Sequence, residues 1–142
     1  MEIEINWLAV ALATASAMFV GSIWYAKPVF GKLWIKLAKV DEKKMNSGEG
    51  VARIMVLTLV MAFLEAFVIA HVADMSREFF AISTFSAAIQ TAFWLWLGIS
   101  LTTTVVHDLF ERRPGQLTLL TIGNQFVTLM LMGLIIGTIG GF

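Results

Sequence analysis

No cysteine occurs among the 142 residues. That excludes a disulfide framework, a thiolate metal centre and a cysteine nucleophile. Charged side chains are also scarce, at 14% of the chain. A soluble domain is about one quarter charged, so a folded surface built from this chain has too few polar groups for water. The formal net charge is zero, which removes any overall attraction to nucleic acid. Nucleophile-elbow, zincin, Walker and dinucleotide signatures are all missing, and no serine stands beside a plausible base. The expectation is a non-enzymatic protein without cofactor or metal. The opening Met-Glu-Ile-Glu-Ile-Asn is acidic, whereas a secretory signal begins with basic residues. The first apolar stretch is therefore read as a retained helix.

What the chain does contain is hydrocarbon. Hydrophobic residues make up 58% of it and mean hydropathy is +0.83. Four apolar stretches, about 6–26, 51–73, 80–106 and 117–139, fill most of the length. Each reaches the ~20 residues that a helix needs to cross ~30 Å of hydrocarbon. Backbone groups in lipid must be satisfied within the segment, which selects helices. The expected fold is an all-α membrane protein of one domain, residues 1–142. Four transmembrane helices would form an antiparallel bundle, with a short amphipathic cytoplasmic helix beside it.

Orientation follows from the basic residues. Lys27, Lys32, Lys36, Lys39, Lys43, Lys44 and Arg53 lie in or beside the first connection, and Arg112 and Arg113 lie in the third. Only Arg77 approaches the second. The nine-to-one division places the first and third connections in the cytoplasm and both termini outside it.

The first connection has a pattern of its own. After Pro28, the apolar residues Phe30, Leu33, Trp34, Leu37 and Val40 recur at three- and four-residue spacing, with Lys32, Lys36 and Lys39 largely opposite. A helix over about 28–44 would lie on the membrane surface, its aromatics inward and its lysines among anionic headgroups. It would serve as a lipid- or partner-docking element, or simply as an anchor returning the chain to the second span. Pro114-Gly115 marks a tight turn between the last two spans.

Glu65 is the outstanding single residue. It stands about 14 residues, or about 21 Å, along the second span, where an ionised carboxylate is costly and needs a wet cavity or a protein partner. It would act as a proton- or cation-coupling group, or as a hydrogen-bonding group in helix packing. Depth suggests Gln90, Trp94 and Thr58 as companions. On the third span Ser86, Gln90, Trp94, Gly98 and Thr102 recur every fourth residue, a stripe expected to face protein. Ser100, Asn124 and Gln125 would form a further polar layer nearer the cytoplasm. Interhelical hydrogen bonds of about 0.6 kcal/mol each are the plainer use of such residues.

Gly133, Gly137 and Gly141 share one line on the fourth span, the pattern that lets two helices approach closely within a bundle or between subunits. His71 with Asp74, or His107 with Asp108 and Glu111, has metal-ligand chemistry, but interfacial solvation is by far the commoner use of such residues.

Two groups of residues carry a family resemblance. One is Asn6-Trp7, Trp24-Tyr25, Pro28, Phe30-Gly31-Lys32 and Trp34; the other is Trp96-Leu97-Gly98, Thr102-Thr103-Thr104 and Leu109-Phe110-Glu111-Arg112. With these residues the chain resembles, over nearly its whole length, a bacterial family known as domain of unknown function 1761. The resemblance implies a small four-helix inner-membrane protein and brings no catalytic residues with it. The leading expectation is a non-enzymatic accessory or a module that interacts with lipids or partners. The alternative is a proton- or cation-coupled transporter or channel for a small solute, formed as a homo-oligomer.

Overall fold

The computed structural model describes residues 4–140. Among them every regular element is helical. In chain order these are α1 (Trp7–Trp24), a π-helical turn (Lys27–Gly31), α2 (Lys32–Ala38), α3 (Glu42–Asn46) and α4 (Val51–Phe80). There follow α5 (Thr84–Leu95), a second π segment (Trp96–Leu101), α6 (Thr102–Phe110) and α7 (Gly115–Ile139). α5, the π segment and α6 run on as one span, so four helices are long and apolar enough to cross a membrane.

Three helix starts are fixed by side chains that accept from otherwise unpaired N–H groups. Asn6 Oδ1 accepts from Leu8 and Ala9 at the start of α1. Asp41 Oδ1 accepts from Lys43 and Lys44 at α3, and Ser83 Oγ accepts from Ser86 N at α5. Lys39 just after α2, Ala81 just after α4 and Arg112 two residues beyond α6 adopt the left-handed region.

α7 packs against α1 and α5, and α4 closes the other side of the same pair. Small residues decide the contacts. Ala9, Val10 and Ala13 of α1 meet Ala66, Ile69, Ala70 and Ala73 of α4 in the core, with Ala87, Ala88 and Ala92 of α5 and Met132 of α7. A Cβ on Gly133 would stand 2.8 Å from Ala92 Cβ, and one on Gly137 would stand 2.9 Å from Phe85 Cα. The glycine line thus brings α7 against α5 inside the bundle. Gly141 lies outside the described residues.

Three expected features change, the first being the third span, which Ser83 caps so that it runs over Thr84–Phe110 and not 80–106. The first connection is not one helix over 28–44: it breaks at Lys39, whose φ of 52° ends α2, and restarts at α3. The second span continues to Phe80, because Asp74 and Arg77 pair with each other at 2.9 Å and let the helix outlast its apolar stretch.

Candidate functional site

Near Ala66 the bundle divides. Beyond it, toward the second connection, α4 is bound to α1 and α5 through alanine, and Ala66 and Ile69 are 0% exposed. Toward the first connection, every residue of α4 from Val51 to Met61 is exposed. The physical cause lies in side-chain size: the long Ile, Met, Leu and Val residues of this half meet no matching small-residue face. α6 packs on α7 instead, and this half of α4 stays exposed. The aromatic cluster of the first connection is taken up by the other side of the gap. Trp24 lies over Gly123, where a Cβ would be 3.3 Å from its ring, and packs against Phe30 at 4.7 Å between centroids. The π turn makes this possible only with glycine at position 31, since a Cβ there would run into the carbonyls of Tyr25 and Ala26.

The result is a groove of about 580 Å³ between α1, α4 and α7. Glu65, itself exposed, lies at its inner end along α4 next to buried Ala66, and Thr58, Met61, Met55 and Ile54 follow toward the first connection. Opposite stand Met18, Gly21 and Ser22 of α1 and Asn124, Gln125 and Thr128 of α7. Tyr25 and Trp34, tilted together at 5.3 Å, also line the groove at the first-connection end. This volume lies in the range of small-molecule sites, ~300–1,000 Å³.

The electrostatics are simple. The only ionisable residues among the lining are Glu65 and Tyr25, and burial pushes the Tyr25 phenol above its ordinary range, so it stays neutral. The ion pairs among the described residues use Asp74, Glu78, Asp108 and Glu111 as acids, never Glu65. Asn124 Nδ2 is buried without a hydrogen-bond partner, a costly state for an amide donor. Thr58 Oγ1 donates to Ile54 O at 2.8 Å, and Gln125 Oε1 accepts from Thr104 Oγ1 at 3.4 Å.

The structure therefore regroups the expected residues. Glu65 and Thr58 join Asn124 and Gln125 in one groove, whereas Gln90 and Trp94 line a separate cleft between α4 and α5 with Ser76 and Phe80. Trp94 is 62% exposed and Gln90, Gly98 and Thr102 are exposed with it, so this stripe faces outward and Ala87, Ala88, Thr91 and Ala92 face the core. The close approach that Gly133 and Gly137 demand admits only small residues, and that requirement outweighs shelter for one glutamine. Ser100, in the π segment, is half-buried and does not line the groove. Phe30 and Trp34 pack on Trp24 and Tyr25 rather than pointing away from the bundle, and Lys32 and Lys36 lie on α2 with Lys39 at its break.

Sequence reasoning missed Tyr25 and the methionines of the groove, although Tyr25 is the only tyrosine in the chain. It named Asp74 and Asp108 beside the histidines but not as the buried acids that tie the ends of the bundle. Asp108 accepts from Thr118 Oγ1 at 2.8 Å and lies 3.7 Å from Arg113 Nε. Asp74 accepts from Glu4 N at 3.1 Å and pairs with Arg77. Among the described residues no three His, Asp or Glu side chains converge as metal ligands would.

No curated protein and no solved structure matches the chain. A family model described as "Protein of unknown function (DUF1761)" matches residues 8–137. Both π segments, with Pro28, Phe30-Gly31 and Trp96-Leu97-Gly98, fall inside that match, and the chain belongs to this family.

Proposed function

We propose that this protein is a multi-pass bacterial inner-membrane module, without catalytic activity, that holds an amphiphilic molecule in the groove between α1, α4 and α7. Membrane insertion is supported by four apolar helices and by exposed Phe79, Leu109 and Phe110, which lipid covers and water does not. Nine of ten Lys and Arg residues sit at the first- and third-connection end, which supports a groove mouth in the cytoplasm and both chain ends outside it. Lys32, Lys36 and Lys39 would then meet anionic headgroups.

The observation that carries the reading is the groove itself. Apolar walls with a few convergent polar groups are what ligand sites have in common. A gap filled only by acyl chains would leave Glu65 and the Asn124 amide without partners, and lipid offers them none. A molecule with an apolar body and a polar group satisfies both. Coupled transport is the second reading, favoured by a carboxylate at membrane depth. It requires the far half of the bundle to part, where Val10, Ile69 and Met132 are all fully buried.

A residue that fills the groove tests the proposal. Gly21 has no atom within 4 Å of where its Cβ would stand, so Gly21→Phe projects a ring into the gap without a clash at its root. Native mass spectrometry of protein released from its own membranes should show a bound amphiphile in wild type that Gly21→Phe has lost. Identical adducts in both would overturn the proposal. The same spectra count subunits, which tests the homo-oligomer expected of so small a bundle.

A further inference from the structure

We infer that the groove is selective for a lipophilic cation, a molecule with an apolar body and one positive charge, with the Glu65 carboxylate as its counter-ion. This rests on the groove being a binding site, and adds the charge and class of what binds.

The charge argument is one of inventory. No Lys, Arg or His lines the groove. The polar groups that share the groove with Glu65 are Ser22 on α1, Thr58 on α4 and Asn124, Gln125 and Thr128 on α7, all neutral, with Tyr25 nearer the mouth. An anion entering this space would meet no positive group and one potential negative group. A neutral apolar molecule would leave the carboxylate unpaired. A cation supplies the missing partner, and in a low-dielectric cleft that pairing is far stronger than at a water-exposed surface.

The walls agree with this choice. Trp34 and Tyr25 present aromatic rings at the mouth, and ring faces attract cations. Met18, Met55 and Met61 line the sides, and methionine moulds itself to apolar bodies of varied shape. The lysines of the first connection are absent from the lining, so they do not oppose a cation within it.

An amine could come from a lipid headgroup or from a free hydrophobic compound. Depth favours the free compound. Glu65 lies about 21 Å along α4 from its first residue, too deep for a headgroup that remains attached at the interface. The shape of the gap also allows access from the side, because α4 is exposed from Val51 to Met61.

The test uses tetraphenylphosphonium and tetraphenylborate, ions of like size and opposite charge, on full-length protein in detergent and in nanodiscs. Isothermal titration should show saturable binding of the phosphonium, absent in Gly21→Phe. Glu65→Gln, close in shape but uncharged, should weaken it by about tenfold or more, and Glu65→Asp should retain part of it. Affinity should fall as pH is lowered, since protons and the cation compete for one carboxylate, with a proton released on binding. Tetraphenylborate should show no Gly21-dependent binding. If both ions bind with Gly21 dependence and Glu65→Gln changes neither, the groove binds amphiphiles but the inference of cation selectivity is wrong. If Gly21→Phe changes nothing, the groove reading falls as well. Displacement of the phosphonium by phosphatidylethanolamine but not by phosphatidylcholine would overturn the assignment to a free cation. Thermal unfolding of each variant, matched to wild type, shows that lost binding is not lost fold.

Discussion

Replacing Gly133 by alanine should destabilise the protein even though alanine is the better helix former. In the structure the new methyl would stand 2.8 Å from Ala92 Cβ and 3.0 Å from Ala88 O. Neither atom sits at the end of a flexible side chain, so the helices themselves must part. Carbon atoms in good contact are about 3.5–4.0 Å apart, so α5 and α7 have to separate locally by roughly 1 Å. Overpacking of this kind costs about 1–3 kcal/mol, and the gain in helix propensity returns close to ~1 kcal/mol. The expected net loss is up to about 2 kcal/mol, which lowers Tm by roughly 2–4 °C per kcal/mol in a domain of this size. Gly137→Ala should behave alike, with 2.9 Å to Phe85 Cα. The double variant should cost less than the sum of the two, because one separation accommodates both methyls. Gly21→Ala is the control: nothing lies within 4 Å, and the propensity gain should appear as a rise in Tm. The assay is thermal unfolding in detergent followed by tryptophan fluorescence, since a chain without cysteine gives thiol dyes nothing to report. A Gly133→Ala protein as stable as wild type, or a Gly21→Ala protein equally impaired, would refute the packing argument.

Other substitutions probe single contacts. Gly31→Ala should be the most damaging glycine change, costing about 3 kcal/mol or more, because its methyl meets backbone of Tyr25 and Ala26; loss of the Trp24 fluorescence environment reports it. Asn6 caps α1 and also donates from Nδ2 to Ile139 O at 3.0 Å. Asn6→Ala should therefore cost about 1–2 kcal/mol, and Asn6→Asp should restore the cap but not the bond to α7, recovering roughly half in the same unfolding assay. Trp96→Phe removes the Nε1 donation to Ile122 O at 3.0 Å and should lower stability by about 1 kcal/mol, read by differential scanning calorimetry.

The spans were legible because hydropathy over some twenty residues is a long-range average that local detail does not disturb. Side-chain direction within a span was less so. On the third span, repetition every fourth residue defined a stripe but not which way it turned. The rule that polar residues seek protein chose Gln90 and Trp94. The small-residue face of Ala87, Ala88, Thr91 and Ala92 was an equally readable signal, and with Gly133 and Gly137 opposite it decides the orientation. Glu65 announced itself by its depth alone. Its grouping with Asn124 and Gln125 depends on α4 standing away from α6, which is a matter of side-chain fit between helices distant in sequence. The break at Lys39 was invisible because a lysine in the left-handed region carries no local mark comparable to glycine.

The most direct test of the groove is access to it. The chain has no native cysteine, so single cysteines at Thr58, Gly21 and Ile69 can be labelled without background. Inside-out membrane vesicles are treated with a membrane-impermeant maleimide, with and without tetraphenylphosphonium. Thr58→Cys and Gly21→Cys, both on the groove wall, should label from the cytoplasmic side and be protected by the cation, whereas Ile69→Cys, at 0% exposure, should stay unlabelled. Labelling of Ile69→Cys to the same extent, or no labelling at either groove position, would contradict a groove that opens to the cytoplasm and closes at Glu65.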